Sequence, residues 1–293
     1  MNVVKESAYA KINLFLDVFE RREDGFHNIR TVMQTVSLCD EVTVTLGSSM
    51  GGVIRIFVDG NKRLPTDSKN IAYTAARLFL DTIGAKNDVT IRLSKKIPVC
   101  AGLAGGSADA AAVLRALNKL FKRPMTDKLL MRLAERLGSD VPFCLVGGTA
   151  ICEGRGEKIT RISNSPPMFA VIAVSDEWVS TPMAYAELDK MYKGFAGTHA
   201  TGGDAYFEQL ISSLNSSQIP DRLFNVFEGA VLPDCKAASH IKDRLTKLGA
   251  RSALMSGSGP AVFGVFDTKN EAEYAVQLLS DEGFKAYFAQ SVK

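Results

Sequence analysis

Apolar and polar residues alternate through the first part of the chain, which is the pattern of β-strands with one buried face. Over residues 10–18 every even position is apolar, and Lys11 and Asn13 fall on the opposite face. Residues 41–46 and 53–58 alternate in the same way. The Gly/Ser-rich segment between these two strands predicts that they form a hairpin.

Helices with recognisable ends follow these strands. Asp67 or Ser68 can cap the first helix, which is predicted to end before Gly84, and another helix is predicted to stop at Gly138. A glycine-rich loop separates the strand from the second helix. The predicted elements are a helix over residues 70–83, a strand over 89–93, and helices over 107–122 and 127–137.

A change in composition at Ser163-Asn-Ser-Pro-Pro167 marks the predicted domain boundary, because prolines and small polar residues end regular elements. We therefore expect two domains, residues 1–162 and 163–293. Thr181-Pro182 predicts a helix start, and residues 194–203 predict a loop that can move. The other predicted elements are strands over 168–174, 251–255, 261–266 and 285–289 and helices over 206–214, 223–229, 236–248 and 269–279. The last of them indicate an antiparallel sheet backed by helices, and the fold class is α+β.

Composition and charge narrow the function classes. The 293 residues include 35 lysines and arginines against 32 acidic residues, a net charge of +3. This nearly neutral balance without a basic block argues against a nucleic-acid partner and is compatible with small anionic ligands. No apolar run is long enough to span a membrane and no export signal is present, so we expect a cytoplasmic protein without a membrane partner. Five scattered cysteines and three separated histidines predict neither disulfides nor a metal site.

The glycine-rich loop carries the strongest chemical signal. It reads Pro98-Val-Cys-Ala-Gly-Leu-Ala-Gly-Gly-Ser-Ala108, and Lys95 and Lys96 just before it add positive charge. Glycines let backbone N–H groups converge on an anion, and the N-terminus of the following helix adds free donors and a favourable dipole. The spacing is neither that of a Walker A loop nor that of a Rossmann fingerprint. We predict a phosphate-binding loop; the alternative is a glycine turn packed under a helix.

Two further segments present polar groups suited to a phosphate or a hydroxyl. Lys11 and Asn13 offer a cation and an amide on one strand face, for which the alternative is a solvated strand surface. Asp140, in Gly138-Ser-Asp-Val-Pro142, is a candidate general base. The alternative for Asp140 is a helix N-cap, and the two roles are compatible.

Two turns complete the candidates. Met255-Ser-Gly-Ser-Gly-Pro260 predicts a hairpin turn whose glycines allow close approach to a ligand or to another glycine loop. Asp24-Gly-Phe-His27 places an aromatic ring beside an imidazole, a pair that can stack on and hydrogen-bond to a flat heterocycle. The alternative for Phe26 is a core aromatic residue.

In this order, the lysine strand, the Pro-x-x-x-Gly-Leu-x-Gly-Gly-Ser loop and the Ser-Gly-Ser-Gly turn resemble the three signatures of the GHMP small-molecule kinase superfamily. Ala10-Lys-Ile-Asn-Leu14, Arg22-x-Asp-Gly-aromatic-His27 and Gly138-Ser-Asp-Val-Pro-Phe143 narrow the resemblance to a kinase of the non-mevalonate isoprenoid pathway. The resemblance spans about residues 5–266. It implies an N-terminal domain like domain 2 of ribosomal protein S5 and a ferredoxin-like C-terminal domain. It also implies ATP-dependent phosphorylation of the 2-hydroxyl of a cytidine-diphosphate-linked polyol.

The resemblance implies roles for the matching residues. Asp140 is expected to accept the proton of the attacking hydroxyl, and Lys11 to keep Asp140 charged and to orient the nucleophile. The loop is expected to hold the ATP phosphates, with Mg²⁺ bridging their oxygens and no metal-ligating residue in the chain. The residues expected to bind ATP are Asn70, Lys96, Pro98, Val99, Cys100, Ala101, Gly102, Leu103, Ala104, Gly105, Gly106, Ser107 and Ala108.

At the substrate end, the resemblance implies that Phe26 and Tyr185 sandwich the cytosine while His27 reads its edge. The residues expected to bind the substrate are Asn13, Phe26, His27, Thr181 and Tyr185. The family usually has tyrosine where this chain has Phe26, so a hydroxyl is missing there. Ala104 and Ala108 replace residues that are often glycine and serine, and both are small.

Two alternatives stay open at this point. One is another GHMP kinase, acting on homoserine or mevalonate, which a panel of substrates would separate. The other is a catalytically silent metabolite-binding protein on the same scaffold. The presence of both Lys11 and Asp140 argues against the silent protein.

Overall fold

The structure, a computed structural model, describes residues 2–60, 64–192 and 203–293. Its strands are β1 (Val3–Arg21), β2 (His27–Leu46), β3 (Ile54–Asp59), β4 (Val89–Ser94), β5 (Thr149–Gly154), β6 (Lys158–Arg161), β7 (Phe169–Val174), β8 (Phe224–Asn225), β9 (Ser252–Met255), β10 (Val262–Phe266) and β11 (Lys285–Gln290). Its helices are α1 (Ile71–Ile83), α2 (Gly105–Leu120), α3 (Asp127–Leu137), α4 (Val141–Val146), α5 (Thr181–Tyr192), α6 (Gly203–Asn215), α7 (Phe227–Val231), α8 (Lys236–Lys247) and α9 (Lys269–Asp281).

Contacts divide the chain into two compact units, neither of which is continuous in sequence. The first unit contains residues 2–10, 39–99 and 104–146, and the second contains residues 11–38, 100–103 and 147–293. The long strands β1 and β2 therefore contribute residues to both units. The predicted domain boundary between residues 162 and 163 stays a prediction, because these units are defined by contacts rather than by position along the chain.

The first unit is a sheet packed against helices. Strand β4 pairs antiparallel with residues 41–46 of β2 on one side and parallel with β3 on the other. Helices α1 and α2 contribute rows of buried alanines, together with Phe79 and Leu80, to one apolar core with the sheet residues Val44 and Ile91. Small side chains let the two helices pack closely against each other, so the start of α2 is held by a well-packed core.

The hairpin predicted from residues 41–46 and 53–58 is wrong. The two segments do form strands, but β4 lies between them and pairs with both. The Gly/Ser segment binds the residues that precede β4: Gly47 N donates to the Asp88 carbonyl and Val53 N to the Asp88 carboxylate, both over 2.8–2.9 Å. Parallel β3 and β4 need a crossover, and α1 provides it.

The second unit contains two groups of strands. Residues 29–34 of β2 pair antiparallel with β5, β5 pairs with β6, and β1 pairs parallel with β8. A separate antiparallel sheet has the order β11-β7-β10-β9. Helices α5, α7, α8 and α9 share a core with this sheet and with Leu16 and Val18 of β1. The predicted antiparallel sheet backed by helices, and with it the α+β class, is confirmed.

Three local predictions need correction. Residues 10–18 of β1 are buried on both faces, so the alternation does not mark a solvated side. The helix predicted over residues 223–229 is the short strand β8 followed by α7. Helix α2 begins at Gly105, two residues before Ser107. The loop predicted over residues 194–203 lies outside the described residues, except for Gly203, which begins α6.

Candidate active site

Three segments that are far apart in the sequence meet within the second unit. The Gly102 carbonyl accepts a hydrogen bond from Ser256 Oγ at 3.0 Å. The next carbonyl, that of Leu103, accepts one from the backbone N–H of Lys11 at 3.2 Å. The lysine strand, the middle of the glycine-rich loop and the Ser-Gly-Ser-Gly turn therefore form one cluster, in which all three predicted signatures are represented.

Gly102 makes this close approach possible. Its φ is +77°, and a Cβ built on it would lie 2.0 Å from the Ser256 carbonyl oxygen. No side chain fits at that distance, and L-residues rarely adopt that backbone conformation. The prediction that the late turn approaches another glycine loop is confirmed.

Lys11 is a buried cation in this cluster. Its exposed fraction is 4%, and its Nζ donates to Asn13 Oδ1 at 2.6 Å. Asn13 Nδ2 donates in turn to Thr31 Oγ1 at 2.8 Å. A Cβ built on Gly257 would lie 3.4 Å from Lys11 Nζ, so the ammonium group lies beside this turn. The alternative of a solvated strand face is wrong for Lys11 and Asn13.

Asn225, which the sequence analysis missed, holds the late turn in place. Its buried Nδ2 donates to the carbonyls of Met255 (2.7 Å) and Gly257 (2.8 Å), and its Oδ1 accepts from Phe227 N at 3.0 Å. On the other side of the turn, Thr181 Oγ1 lies 2.8 Å from Ser258 Oγ. No local motif marks Asn225 as a support of this turn, because the two turn carbonyls that it bonds are about 30 residues away in the sequence.

The backbone of the glycine-rich loop has a conformation suited to anions. Cys100, Gly102 and Ala104 all have positive φ, between +56° and +77°. Alternating left-handed residues turn successive N–H groups towards one side of a chain. Ala104 is the N-cap of α2 and has no side chain that could bond the first N–H groups of the helix. With no side-chain cap at Ala104, those groups and the helix dipole can bind an anion.

Lys95, which was expected to add positive charge beside the loop, is neutralised by two carboxylates. Its Nζ bonds to Asp40 and, at 2.6 Å, to Asp109 in the early part of α2, and none of the three side chains is more than 5% exposed. Burial alone would lower the pKa of Lys95, but Asp109 and Asp40 outweigh it and raise that pKa. This buried triad belongs entirely to the first unit and offers no free cation to a phosphate.

The triad also ties the loop to the sheet. Asp40 Oδ1 accepts the backbone N–H groups of Lys96 and Ile97, the latter at 2.8 Å. The side chain of Lys96 stays exposed. Burial raises the pKa of the Asp109 carboxyl to about 7, against the opposing attraction of Lys95. The second oxygen of Asp109, Oδ1, is buried and has no hydrogen-bond partner among the described residues.

Asp140 and Asn70 both lie at helix starts in the first unit. Asp140 immediately precedes α4, and its carbonyl accepts the first bond of that helix, from Cys144 N at 3.0 Å. Asn70 is the N-cap of α1: its Oδ1 accepts from Ala72 N, and its Nδ2 donates to the Pro65 carbonyl. A position at a helix start is compatible with a base at Asp140. The oxygen and the nitrogen of the Asn70 side-chain amide both already form hydrogen bonds within the protein.

The predicted cytosine residues lie in the second unit. His27, with a side chain 8% exposed, stacks on the Tyr185 ring at 5.0 Å between centroids. Tyr185 in turn makes an edge contact with Phe227 at 4.9 Å. His27 Nε2 lies 2.8 Å from Oδ1 of Asp189, another residue of α5 that the sequence did not single out. Phe26 is 51% exposed, so it is not a core aromatic.

The predicted site residues divide between the two units. Asn70, Lys96, Pro98, Val99, Ala104 to Ala108 and Asp140 belong to the first unit, and the remaining site residues, Lys11 among them, belong to the second. Among the described residues there is no group of three or more His, Cys, Asp and Glu side chains that could hold a metal ion. No helix in the described part of the chain has the length and apolar character needed to cross a membrane.

Comparison with known proteins relates the chain to a family of kinases. Residues 70–148 match the model for the GHMP kinase N-terminal domain, and residues 206–283 match the model for the GHMP kinase C-terminal domain. A relative named 4-diphosphocytidyl-2-C-methyl-D-erythritol kinase, from Caldicellulosiruptor bescii, is 42% identical over 281 residues, which are 94% of each chain.

Solved structures agree with this result. A crystal structure of 4-(cytidine 5'-diphospho)-2C-methyl-D-erythritol kinase matches 99% of this chain and 100% of its own, with a TM-score of 0.81 and 33% identity. A homoserine kinase from Cytophaga hutchinsonii matches 100% of this chain and 95% of its own with a TM-score of 0.76, but at 21% identity. The homoserine kinase shares the fold, and its low identity does not extend the likeness to its substrate.

Proposed function

This chain belongs to the GHMP kinase family, and from that membership we propose that it transfers the γ-phosphate of ATP to the 2-hydroxyl of 4-diphosphocytidyl-2-C-methyl-D-erythritol. The chain is a small-molecule kinase, since relatives that bear that kinase name share 42% of its residues over almost the full length. The reaction belongs to the formation of isoprenoid precursors. The observation that supports the proposal best is the cluster of Lys11, Gly102 and Ser256.

The proposed chemistry needs few groups because phosphoryl transfer depends on positioning and on charge neutralisation. The 2-hydroxyl oxygen forms a bond to the γ-phosphorus as the bond between that phosphorus and the β–γ bridging oxygen breaks, and ADP leaves. We assign Asp140 as the base that takes the hydroxyl proton. Lys11, a buried cation, is assigned to orient the nucleophile and to offset negative charge that develops there.

The phosphates are assigned to the glycine-rich loop and the N-terminus of α2. The positive φ values from Cys100 to Ala104 and the uncapped helix start support this assignment. Mg²⁺ is proposed to enter with ATP and to offset the charge of its phosphates. Such an ion would be held mainly by phosphate oxygens and water. Lys96, with its exposed side chain, is the assigned cation beside the loop.

The cytosine is assigned to the surface around Phe26. This ring is half exposed, and the Arg155 guanidinium lies 5.0 Å from its centroid. A base stacked on Phe26 would gain apolar contact without the hydroxyl of a tyrosine. Tyr185 already stacks on His27, so its assignment as the second ring of the sandwich stays a prediction. Asn13 and Thr181 are assigned to polar groups of the substrate, and Asn70 to adenosine.

We also propose that the reaction takes place in the cytoplasm. No two of the five cysteines, all of which the structure describes, form a disulfide, which is usual for a reducing compartment.

The test is ADP release with a panel of acceptors. We expect turnover with 4-diphosphocytidyl-2-C-methyl-D-erythritol and none above background with homoserine, mevalonate or no acceptor. Turnover only with one of the other acceptors would replace the proposal by that activity. ATP binding without turnover of any acceptor would favour a silent binding protein.

The base is tested by two substitutions of Asp140. Asp140→Asn keeps a good N-cap for α4 but removes the carboxylate, and Asp140→Ala removes both. We expect each to lower kcat by about 10²–10⁴ while the Kd for ATP stays within about twofold. Wild-type turnover in Asp140→Asn would contradict the assignment, and a loss confined to Asp140→Ala would identify Asp140 as a cap.

A further inference from the structure

The imidazole of His27 is held on two sides. Its face lies on Tyr185, with 22° between the ring planes, and its Nε2 is 2.8 Å from the Asp189 carboxylate. Its side chain is 8% exposed, so few orientations other than this one are open to the ring. Its other nitrogen, Nδ1, makes no hydrogen bond with any described residue. Nδ1 is not among the fully buried polar atoms that lack a partner, so a polar group of a ligand can reach it.

Asp189 determines what the unused nitrogen can do. A carboxylate accepts hydrogen bonds, so the short contact with Asp189 places a hydrogen on Nε2. A neutral imidazole has only one N–H group, and Nδ1 is then left with a lone pair. In the neutral form of His27, Nδ1 is therefore an acceptor, and the group that it binds must donate.

The proposed substrate carries one base whose edge meets this requirement. Cytosine has an exocyclic amine, a donor, where uracil has a carbonyl oxygen, an acceptor. An accepting Nδ1 can form a hydrogen bond with the amine of cytosine. It cannot form one with the carbonyl oxygen of uracil, because both atoms would then be acceptors. A site that leaves a polar group unpaired discriminates more strongly than one that loses only apolar contact.

We infer that Asp189 is a positioning residue that selects cytidine over uridine substrates by fixing the tautomer of His27. This inference rests on the proposed function, because it takes His27 to face the base of the nucleotide. Asp189 is assigned no contact with the base or the reacting atoms. Its effect on the substrate passes entirely through the hydrogen that it holds on Nε2.

The first experiment measures the tautomer without any substrate. The ¹⁵N chemical shifts of the His27 ring, recorded at pH 8.5, distinguish N–H from bare nitrogen at each position. We expect a hydrogen on Nε2 in the wild type and a loss of this preference in Asp189→Asn, whose amide can donate to Nε2 instead. A wild-type spectrum with the hydrogen on Nδ1 would overturn the inference, whatever the enzyme's activity.

The second experiment measures kcat/KM for 4-diphosphocytidyl-2-C-methyl-D-erythritol and for its uridine counterpart. The ratio of the two values cancels the fraction of folded enzyme. We expect Asp189→Asn to lower the cytidine-to-uridine ratio about tenfold, the equivalent of one hydrogen bond. The matched control is Glu187→Gln, on the same helix α5, where the exposed carboxylate pairs with Lys190 and with no other cation in the described part of the chain. This control should keep the wild-type ratio.

The outcomes separate this inference from the proposed function. A wild-type enzyme that does not turn over the cytidine substrate would remove the proposed function and the cytosine assignment with it. If the wild type is active and Asp189→Asn has the same cytidine-to-uridine ratio, the proposed function is retained and the role of Asp189 is wrong. An equal fall of the ratio in Glu187→Gln would also overturn it, because the cause would then be the charge of α5 and not the tautomer.

Discussion

Single residues in this protein matter most where two backbones meet. Gly102 and the Ser256 carbonyl are so close that one methyl group added to Gly102 would disrupt the cluster. Single residues also matter in the buried triad of Lys95, Asp40 and Asp109, because three ionisable side chains lie together in a region almost closed to water. In both cases the importance of a residue for stability depends on its neighbour in space, and that neighbour is remote in the sequence.

Gly102→Ala is expected to disrupt the cluster. The new Cβ adds a clash with the Ser256 carbonyl to the cost of a left-handed backbone. The control is Gly283→Ala, where φ is +90° but a Cβ would meet nothing within 4 Å. We expect the control to lose about 1–2 kcal/mol in free energy of unfolding and Gly102→Ala to lose more, with a higher KM for ATP. Equal losses in urea titrations of both variants would contradict the packing argument.

Lys95→Met is expected to be strongly destabilising. It leaves two buried carboxylates without their cation, a change that typically costs about 3–5 kcal/mol. The control is Lys285→Met, which breaks an exposed pair with Asp176 and should leave the unfolding free energy nearly unchanged. If Lys95→Met unfolds at the same urea concentration as the wild type, the triad does not stabilise the folded protein.

The triad also predicts a pH dependence. The pKa of Asp109 is raised to about 7 in the folded protein from an ordinary value of 3.8, so between these values the folded state binds more protons than the unfolded state. The contribution of Asp109 therefore favours folding at low pH and is lost as the pH rises from about 4 to about 7. The free energy of unfolding of the wild type minus that of Asp109→Asn should fall over this range and then level off. Parallel curves for the two proteins would contradict the raised pKa.

Elements with local signals were predictable from the sequence. Helix α3 was predicted to begin at residue 127 and end at residue 137, and it does, because Thr126 caps its start and Gly138 follows its end. Helix α9, predicted over residues 269–279, also has a local signal at its start, where Thr268 forms a capping box with Glu271. Patterns of this kind depend on neighbours within a few positions.

Elements defined by distant partners were not predictable. The insertion of β4 between β2 and β3 depends on pairing across about 40 residues, and alternation says nothing about which strand is adjacent. The charge of Lys95 looked available for the same reason: neither Asp40 nor Asp109 is near it in the sequence. The glycine-rich loop was recognised by its composition, but the need for Gly102 is visible only from Ser256.

At the scale of the whole molecule, no single cut of the chain separates the two units. The second unit needs residues 11–38 as well as residues 147–293. Its core joins Leu16 and Val18 of β1 to the sheet of β7, β9, β10 and β11. The chain therefore behaves as an interleaved whole even though its composition changes at Ser163.

A fragment of residues 163–293 is expected to be less stable than the intact chain. It contains the whole antiparallel sheet but lacks Leu16 and Val18 from the shared core. We expect it to unfold at a lower urea concentration than the intact protein. Leu16→Ala in the full chain, expected to cost about 2–5 kcal/mol, measures the core contribution directly. A fragment as stable as the intact chain would support the boundary at residue 163 and contradict the interleaved core.

The pairing of β1 with β8 has a consequence for synthesis. Phe15 and Leu16 are made early, but their partners Phe224 and Asn225 follow about 200 residues later. At roughly 5–20 residues per second, translation leaves this edge of β1 without its β8 partner for about 10–40 s. The pairing of β1 with β8 can therefore form only after residue 225 has been made, and slower elongation after residue 16 lengthens the time for which this edge of β1 is open to other nascent chains.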